Sequence, residues 1–264
     1  MIMLIDEAAA NGFAWRVLSG ESGVGELRLS ITESGLGTLK ISTDASLSTA
    51  SLRRIIEQLV VKVFDAELAR KVQVVVPVQA GVAAQTQAFV TAFEKSGFER
   101  VARQPATGMR LAATKLSVAH AMALATMARH IDLNVWGFRF DNGKRRAGQC
   151  NYTSRVISIS KHLVAHHSLD EVQQVVLHEV AHALVGKEAG HGPVFKKRAA
   201  ALGYRGKNFT GREIAANEAS WVGHCKAGHV HYRYRQPTRP LACGLCVKTF
   251  SRANQIVWQR STTS

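Results

Sequence analysis

Between His178 and Phe195 the sequence reads HEVAHALVGKEAGHGPVF. His178 and His182 are four residues apart, the spacing that puts two imidazoles on one face of a helix, one turn from each other. Two such rings can reach a single ion. Glu179 sits beside the first ring, where its carboxylate can reach a water activated by that ion without being a ligand. His191 follows a glycine-bounded loop and can return as a third ligand. Three protein ligands with an open fourth position are the make-up of a catalytic zinc site, and zinc lowers the pKa of water to about 7. A neighbouring carboxylate then takes the proton as hydroxide attacks a carbonyl. The expected site is therefore His178, His182 and His191 on zinc, with Glu179 as base.

That chemistry needs a helix, and the flanking residues supply one. Ser168 can cap it, with Glu171 three residues on completing a capping box. Asp170 adds favourable charge in the first turn. Val172, Val175, Val176, Leu177, Val180 and Leu184 form its apolar body, and Gly186 suits the position after the last turn. Pro193 opens a further short helix, closed by Gly203. Upstream, Trp136 to Ser160 contains two strands, with Asp141-Asn142-Gly143 as a turn signal, so a β-hairpin is predicted there. The basic run Lys144, Arg145 and Arg146 follows that turn, as a solvated loop able to meet phosphates.

A second metal signal lies at the C-terminus. Cys243 and Cys246 have knuckle spacing, and Cys225 stands one hairpin before them. A histidine completes the set of four that closes a structural zinc site. His229 is the first choice, with His224 and His231 as alternatives. Arg233, Tyr234, Arg235 and Arg239 lie in the same segment, where arginines can bind phosphate and rings can stack on bases. Cys150 stands apart from the other cysteines and is read as a buried structural thiol.

Charge divides the chain. The net charge is +15, of which residues 1–112 carry +1 and residues 113–264 carry +14. All 11 histidines also follow residue 112. The second part is built to face an anion, and nucleic acid is the expected partner. No run approaches the ~18 apolar residues of a membrane span, and the first residues lack a basic leader. A cytoplasmic, nucleoid-associated protein without membrane contact is expected. Residues 1–112 read as strands, a helix (51–70), a strand buried and ended by Pro77, a helix (83–97) and two strands. That order makes an α/β domain.

Two resemblances extend this reading. HEVAHALVG and GHGPVFKKRAAALG, with the upstream WGFRF and RRAGQC segments, resemble the SprT-like metalloproteases, the group that includes Spartan. The resemblance covers about residues 115–260. It implies a zincin-type peptidase with the zinc ligands and base named above, followed by a small zinc ribbon. It also implies DNA, single-stranded DNA included, as partner and DNA-bound or DNA-crosslinked proteins as substrates. The element order of residues 1–112, with FEKSGFERV, resembles the GNAT acetyltransferase fold. That family places acetyl-CoA phosphates on a glycine-rich turn at a helix N-terminus. The turn here, Ser42 to Arg54, has no glycine. A GNAT-like domain without transferase activity is expected, with acetyl transfer the alternative. The whole reads as an α+β multidomain protein: a GNAT-like domain (1–112), a metallopeptidase domain (113–215) and a zinc ribbon (216–264). One zinc is catalytic and one structural. A DNA-binding zinc protein with an idle peptidase site is the competing function.

Overall fold

The computed structural model describes residues 2–7, 12–19, 22–43, 47–76, 83–104, 108–206, 214 and 216–261. Four strands open the chain as an antiparallel meander: β1 (Ile2–Glu7), β2 (Phe13–Ser19), β3 (Ser22–Ile31) and β4 (Leu36–Thr43). Their alternation sorts Trp15, Val17, Leu27, Leu29 and Leu39 inward and Arg16, Arg28 and Lys40 outward, as a period of two requires. β1 lacks a strand signal in the sequence because its apolar run, Ile2 to Ile5, is continuous and does not alternate.

Helix α1 (Thr49–Asp65) starts where the Ser48 side chain accepts a hydrogen bond from the Ser51 N–H. It leads to β5 (Lys71–Val76), parallel to β4, then α2 (Ala83–Lys95), β6 (Glu99–Gln104) and β7 (Gly108–Thr114). The seven strands are ordered β1-β2-β3-β4-β5-β7-β6. Strand β5 departs from the fully buried strand expected: Val72, Val74 and Val76 are buried, but Val75 is 41% exposed. Only one face of the strand is packed into the core. Pro77 and residues 44–46 of the glycine-free turn lie outside the described residues. Gly97, with φ +94°, is required twice over, since a Cβ there would stand 2.6 Å from the Val118 Cα.

No linker follows the first sheet. Thr114 ends β7 and caps α3 (Lys115–Ala128), bonding reciprocally with Ser117. A second sheet contains β8 (Gly137–Asp141), β9 (Gly148–Asn151) and β10 (Val156–Ser160), in the order β8-β10-β9. The hairpin predicted at Asn142-Gly143 is not formed. β8 runs parallel to β10, and the unanticipated β9 pairs antiparallel with β10. The turn signal is local, whereas the pairing is decided by β10, whose Ile157, Ser158, Ile159 and Ser160 are all buried. Such a strand needs a partner on each side.

Helices α4 (Lys161–His166), α5 (Leu169–Val185) and α6 (Pro193–Ala201) follow. The core is continuous across both sheets: Leu59 and Val63 of α1, Ala119 and Met127 of α3, Ile157 and Ile159 of β10, and Val172, Val176 and Val180 of α5 belong to one cluster. The Asp65 carboxylate, at the end of α1, accepts the Leu169 N–H at the start of α5 at 2.8 Å. A last sheet, ordered β12-β11-β13, comprises β11 (Trp221–His224), β12 (Val230–Arg233) and β13 (Val257–Arg260). Its core is little more than Cys225, Cys243 and Ile256. Among the described residues, no helix is long and apolar enough to cross a membrane.

Leu169 is 1% exposed in the shared core. Leu169→Ala should cost about 2–5 kcal/mol. Urea unfolding followed by tryptophan fluorescence and by circular dichroism should give one coincident, shifted transition, as a shared core demands.

Candidate functional site

Helix α5 is held at its start by the capping box expected from sequence. Ser168 accepts the Glu171 N–H, and the Glu171 carboxylate accepts the Ser168 N–H. One side of the helix enters the core through Val172, Val176 and Val180. The other side carries His178 and His182. Gly186, at φ +82°, ends the helix, and a 3-10 turn over Lys187–Ala189 brings the chain back to His191. Pro193 then starts α6 at its first turn, and Phe195 packs against all three histidine rings.

The Nε2 atoms of His178, His182 and His191 stand 3.0–3.2 Å from one another. Three convergent ring nitrogens cannot satisfy each other, because each neutral ring has one proton. They can satisfy one ion. Tetrahedral ligation at 2.0–2.1 Å separates nitrogens by about 3.4 Å, close to this triangle, and leaves one position open. Burial, then the nearness of His182 and His191, pushes the His178 imidazole down to about 4, so that ring favours the neutral form a metal requires.

Glu179 is 6% exposed. Burial pushes its carboxyl up to about 8, against the opposing pull of the Cys150 N–H and the Arg146 charge. The Cys150 N–H, on β9, is the hydrogen bond that orients it. A Cβ on Gly148 would stand 2.9 Å from Glu179 Oε1 and 2.9 Å from Val175, so only glycine lets β9 lie this close to Glu179. Burial also pushes the Cys150 thiol up to about 12, the state of an unreactive cysteine.

The second cluster joins Cys225, His229, Cys243 and Cys246, one donor atom each within 4.8 Å of the others. Cys225 Sγ lies 3.8 Å from Cys246 Sγ, and His229 Nδ1 lies 3.4, 3.5 and 3.2 Å from the sulfurs of Cys225, Cys243 and Cys246. Tetrahedral zinc with 2.3 Å Zn–S bonds requires about 3.8 Å between sulfurs and about 3.5 Å between sulfur and nitrogen. The donors fit. Of the alternatives, His224 is exposed and outside the cluster. His231 is buried and places Nε2 3.2 Å from Cys243 Sγ, from outside the set of four. Donation to a ligand sulfur is the usual way an outer group tunes such a site.

Residues 118–215 match the SprT-like family. The match holds both sheet-edge strand β9 and the three histidines, and spans well under half of the chain. The chain is also similar to an aminoglycoside acetyltransferase solved with coenzyme A and kanamycin, at 14% identity over 41% of this chain and 69% of that one, with a TM-score of 0.33. A further similar structure is the Campylobacter jejuni N-acetyltransferase PseH with acetyl coenzyme A, at 9% identity over 40% of this chain and 70% of that one, with a TM-score of 0.31. No curated protein sequence matches the chain.

The SprT-like segment opens on a cleft of about 870 Å³, lined by His178, Glu179, His191, Tyr204 and the rim residues Arg145, Arg146, Lys196 and Arg205. Of the three loop cations expected to meet phosphate, two are engaged within the chain. Arg146 bonds Asp141 at 2.8 Å, and Asp141 is itself held by Ser158 Oγ and the Gly143 N–H, both at 2.7 Å. Lys144 bonds Glu218 at 2.8 Å and lies 4.9 Å from the centre of the Tyr234 ring, whose hydroxyl donates to the Lys144 carbonyl. Arg145 is left at the surface, where it lines both the cleft and a separate groove of about 410 Å³ with Tyr232, Arg233, Tyr234 and Trp258. Arg235 is exposed outside that groove, and Arg239 lines a different hollow beside Phe250.

Glu218 is the residue the sequence did not betray. It accepts hydrogen bonds from His162 Nδ1 at 2.5 Å and His166 Nε2 at 3.0 Å, besides Lys144. Burial acts to raise its carboxyl, but these three donors outweigh it and hold it at about 2. The signal was faint: two histidines four apart on α4, and one acid in a basic segment.

The state of Glu179 has a measurable consequence in metal-free protein. Its folded pKa of about 8 lies above the unfolded value near 4.5, so the folded chain binds the extra proton between those values. Stability is full below pH ~4.5 and falls as pH rises through about 8. Chelated Glu179→Gln should lack that fall and exceed the chelated wild type by a few kcal/mol above pH ~8, as read by urea denaturation across pH.

Proposed function

We propose that this chain is a zinc metalloendopeptidase of the HExxH type, with a zincin-type catalytic fold, acting on proteins bound or crosslinked to DNA. The observation that carries the reading is the convergence of three imidazole nitrogens beside a buried carboxylate in an open cleft. His178, His182 and His191 would hold the catalytic zinc, and Cys225, His229, Cys243 and Cys246 the structural one. When bound, the catalytic zinc supplies the Lewis acidity that activates water and polarises a carbonyl. The rest is the work of the chain. Glu179, oriented by the Cys150 N–H, takes the proton of the attacking water and delivers it to the leaving amine. Strand β9 is an edge of its sheet and meets the cleft through Gly148. An extended peptide can align there by strand addition, main chain to main chain.

Nucleic acid enters through charge and rings. The net charge of +14 over residues 113–264 favours phosphate release of counterions. The groove of Arg145, Arg233, Tyr232 and Trp258 offers cations beside aromatic faces, the composition suited to unpaired bases. In this reading a strand bound through the shared residue Arg145 lies next to the cleft, and proteins held on that strand are presented for cutting. This groove also favours a second reading, a DNA-binding zinc protein with an idle peptidase site. In the first reading the sheet of residues 1–112 is a GNAT-like structural or binding domain.

Cleavage of casein and histone, with and without single-stranded DNA, separates the readings. Purified protein should hold two zinc ions and cut, with DNA accelerating cleavage. Glu179→Gln should keep both zinc ions and the thermal transition, and lose at least about 10²-fold in rate. DNA binding without any cleavage that Glu179→Gln removes would favour the idle-site reading.

A further inference from the structure

Hydrolysis of a peptide bond moves negative charge onto the carbonyl oxygen. Catalysis gains most from a donor already fixed where that charge develops. Helix α6 ends at Ala201, and Gly203, at φ +89°, turns the chain back sharply. The next N–H, that of Tyr204, bonds the Ala199 carbonyl at 3.0 Å. The Tyr204 ring packs with Ala181, Phe195 and Ala199. Its centre lies 5.2 Å from that of the His178 ring, edge-on at 69°. The same ring lines the cleft with Glu179, and it is the one hydroxyl among the described cleft residues. The competing donors are less suited. Arg146 is tied to Asp141 at 2.8 Å, Arg205 is tied to Asp170, and Lys196 is exposed on a flexible stem.

We propose that Tyr204 is a catalytic residue whose O–H hydrogen-bonds the oxyanion formed on the substrate carbonyl. The proposal rests on the peptidase reading above. Tyr204 donates a hydrogen bond and keeps its proton. The water proton passes to Glu179 and on to the leaving amine, so the reaction balances without tyrosine ionising.

Tyr204→Phe removes the hydroxyl and keeps the ring that packs on His178. Two measurements on the zinc-loaded full chain test the proposal. Turnover of a casein-derived peptide should fall about 10²–10³-fold in kcat, with KM within about threefold. Calorimetry with a peptidyl phosphonate, a tetrahedral anion that mimics the transition state, should show affinity lost by a similar factor. Zinc content and thermal stability should be unchanged. A variant matching wild type in kcat and phosphonate affinity would overturn the role of Tyr204, as would a rise confined to KM or a loss of zinc. Wild type that neither cuts peptide nor binds phosphonate would overturn the peptidase reading itself, and this proposal with it.

Discussion

Everything at the centre depends on one helix meeting two demands at once. α5 must bury Val172, Val176 and Val180 in a core shared by both sheets, and it must present His178 and His182 to open space. A period of 3.6 residues allows both. Glu179 falls between the two faces, and that position is costly, since a carboxylate there leaves water behind. The cost is offset by the Cys150 N–H and tolerated because Gly148 lets a strand edge close over it. The Glu179 carboxyl is thereby desolvated and held in one orientation, the setting that the proposed proton transfer requires.

The supports of this helix reach far along the chain. Asp65 ties its first residue to α1, which packs on the N-terminal sheet, and the continuous core makes that sheet part of the scaffold that positions the three histidines. On the other side, the loop holding Arg145 and Arg146 is pinned at two points, by Asp141 and through Lys144 by Glu218. Tyr234, just after β12, rests on the same Lys144. One short loop therefore contacts the C-terminal segment and frames the cleft of His178 and Glu179. A ligand in the Arg145 groove would bear directly on the cleft rim.

Much of this is legible in the sequence. The capping box at Ser168, the glycines at 186 and 203 and Pro193 each act within a few residues, so they specify α5, the return to His191 and α6 from sequence alone. His229 was preferred on spacing, and the Sγ and Nδ1 distances agree. Strand β9 was missed because GQCN has neither alternation nor β-branched residues; it is a strand because β10 has a free edge beside it. The parallel pairing of β8 and β10 was missed for the same reason, as a long-range partner overrode a local turn signal. Charge alone points Lys144 and Arg146 toward phosphate, and it does not reveal that Glu218 and Asp141 pair with them. Glu218 and Tyr204 carry no motif, and their surroundings exist only once the chain has folded.

Diffraction from crystals of the zinc-loaded protein, with anomalous scattering at the zinc edge, tests the central claim most directly. The account predicts two peaks. One lies about 2.0–2.1 Å from the Nε2 atoms of His178, His182 and His191, with Glu179 beside it but not bound to it. The other lies among Cys225, His229, Cys243 and Cys246. Histidine rings turned apart with no peak between them, in protein whose ribbon peak is full, would contradict it.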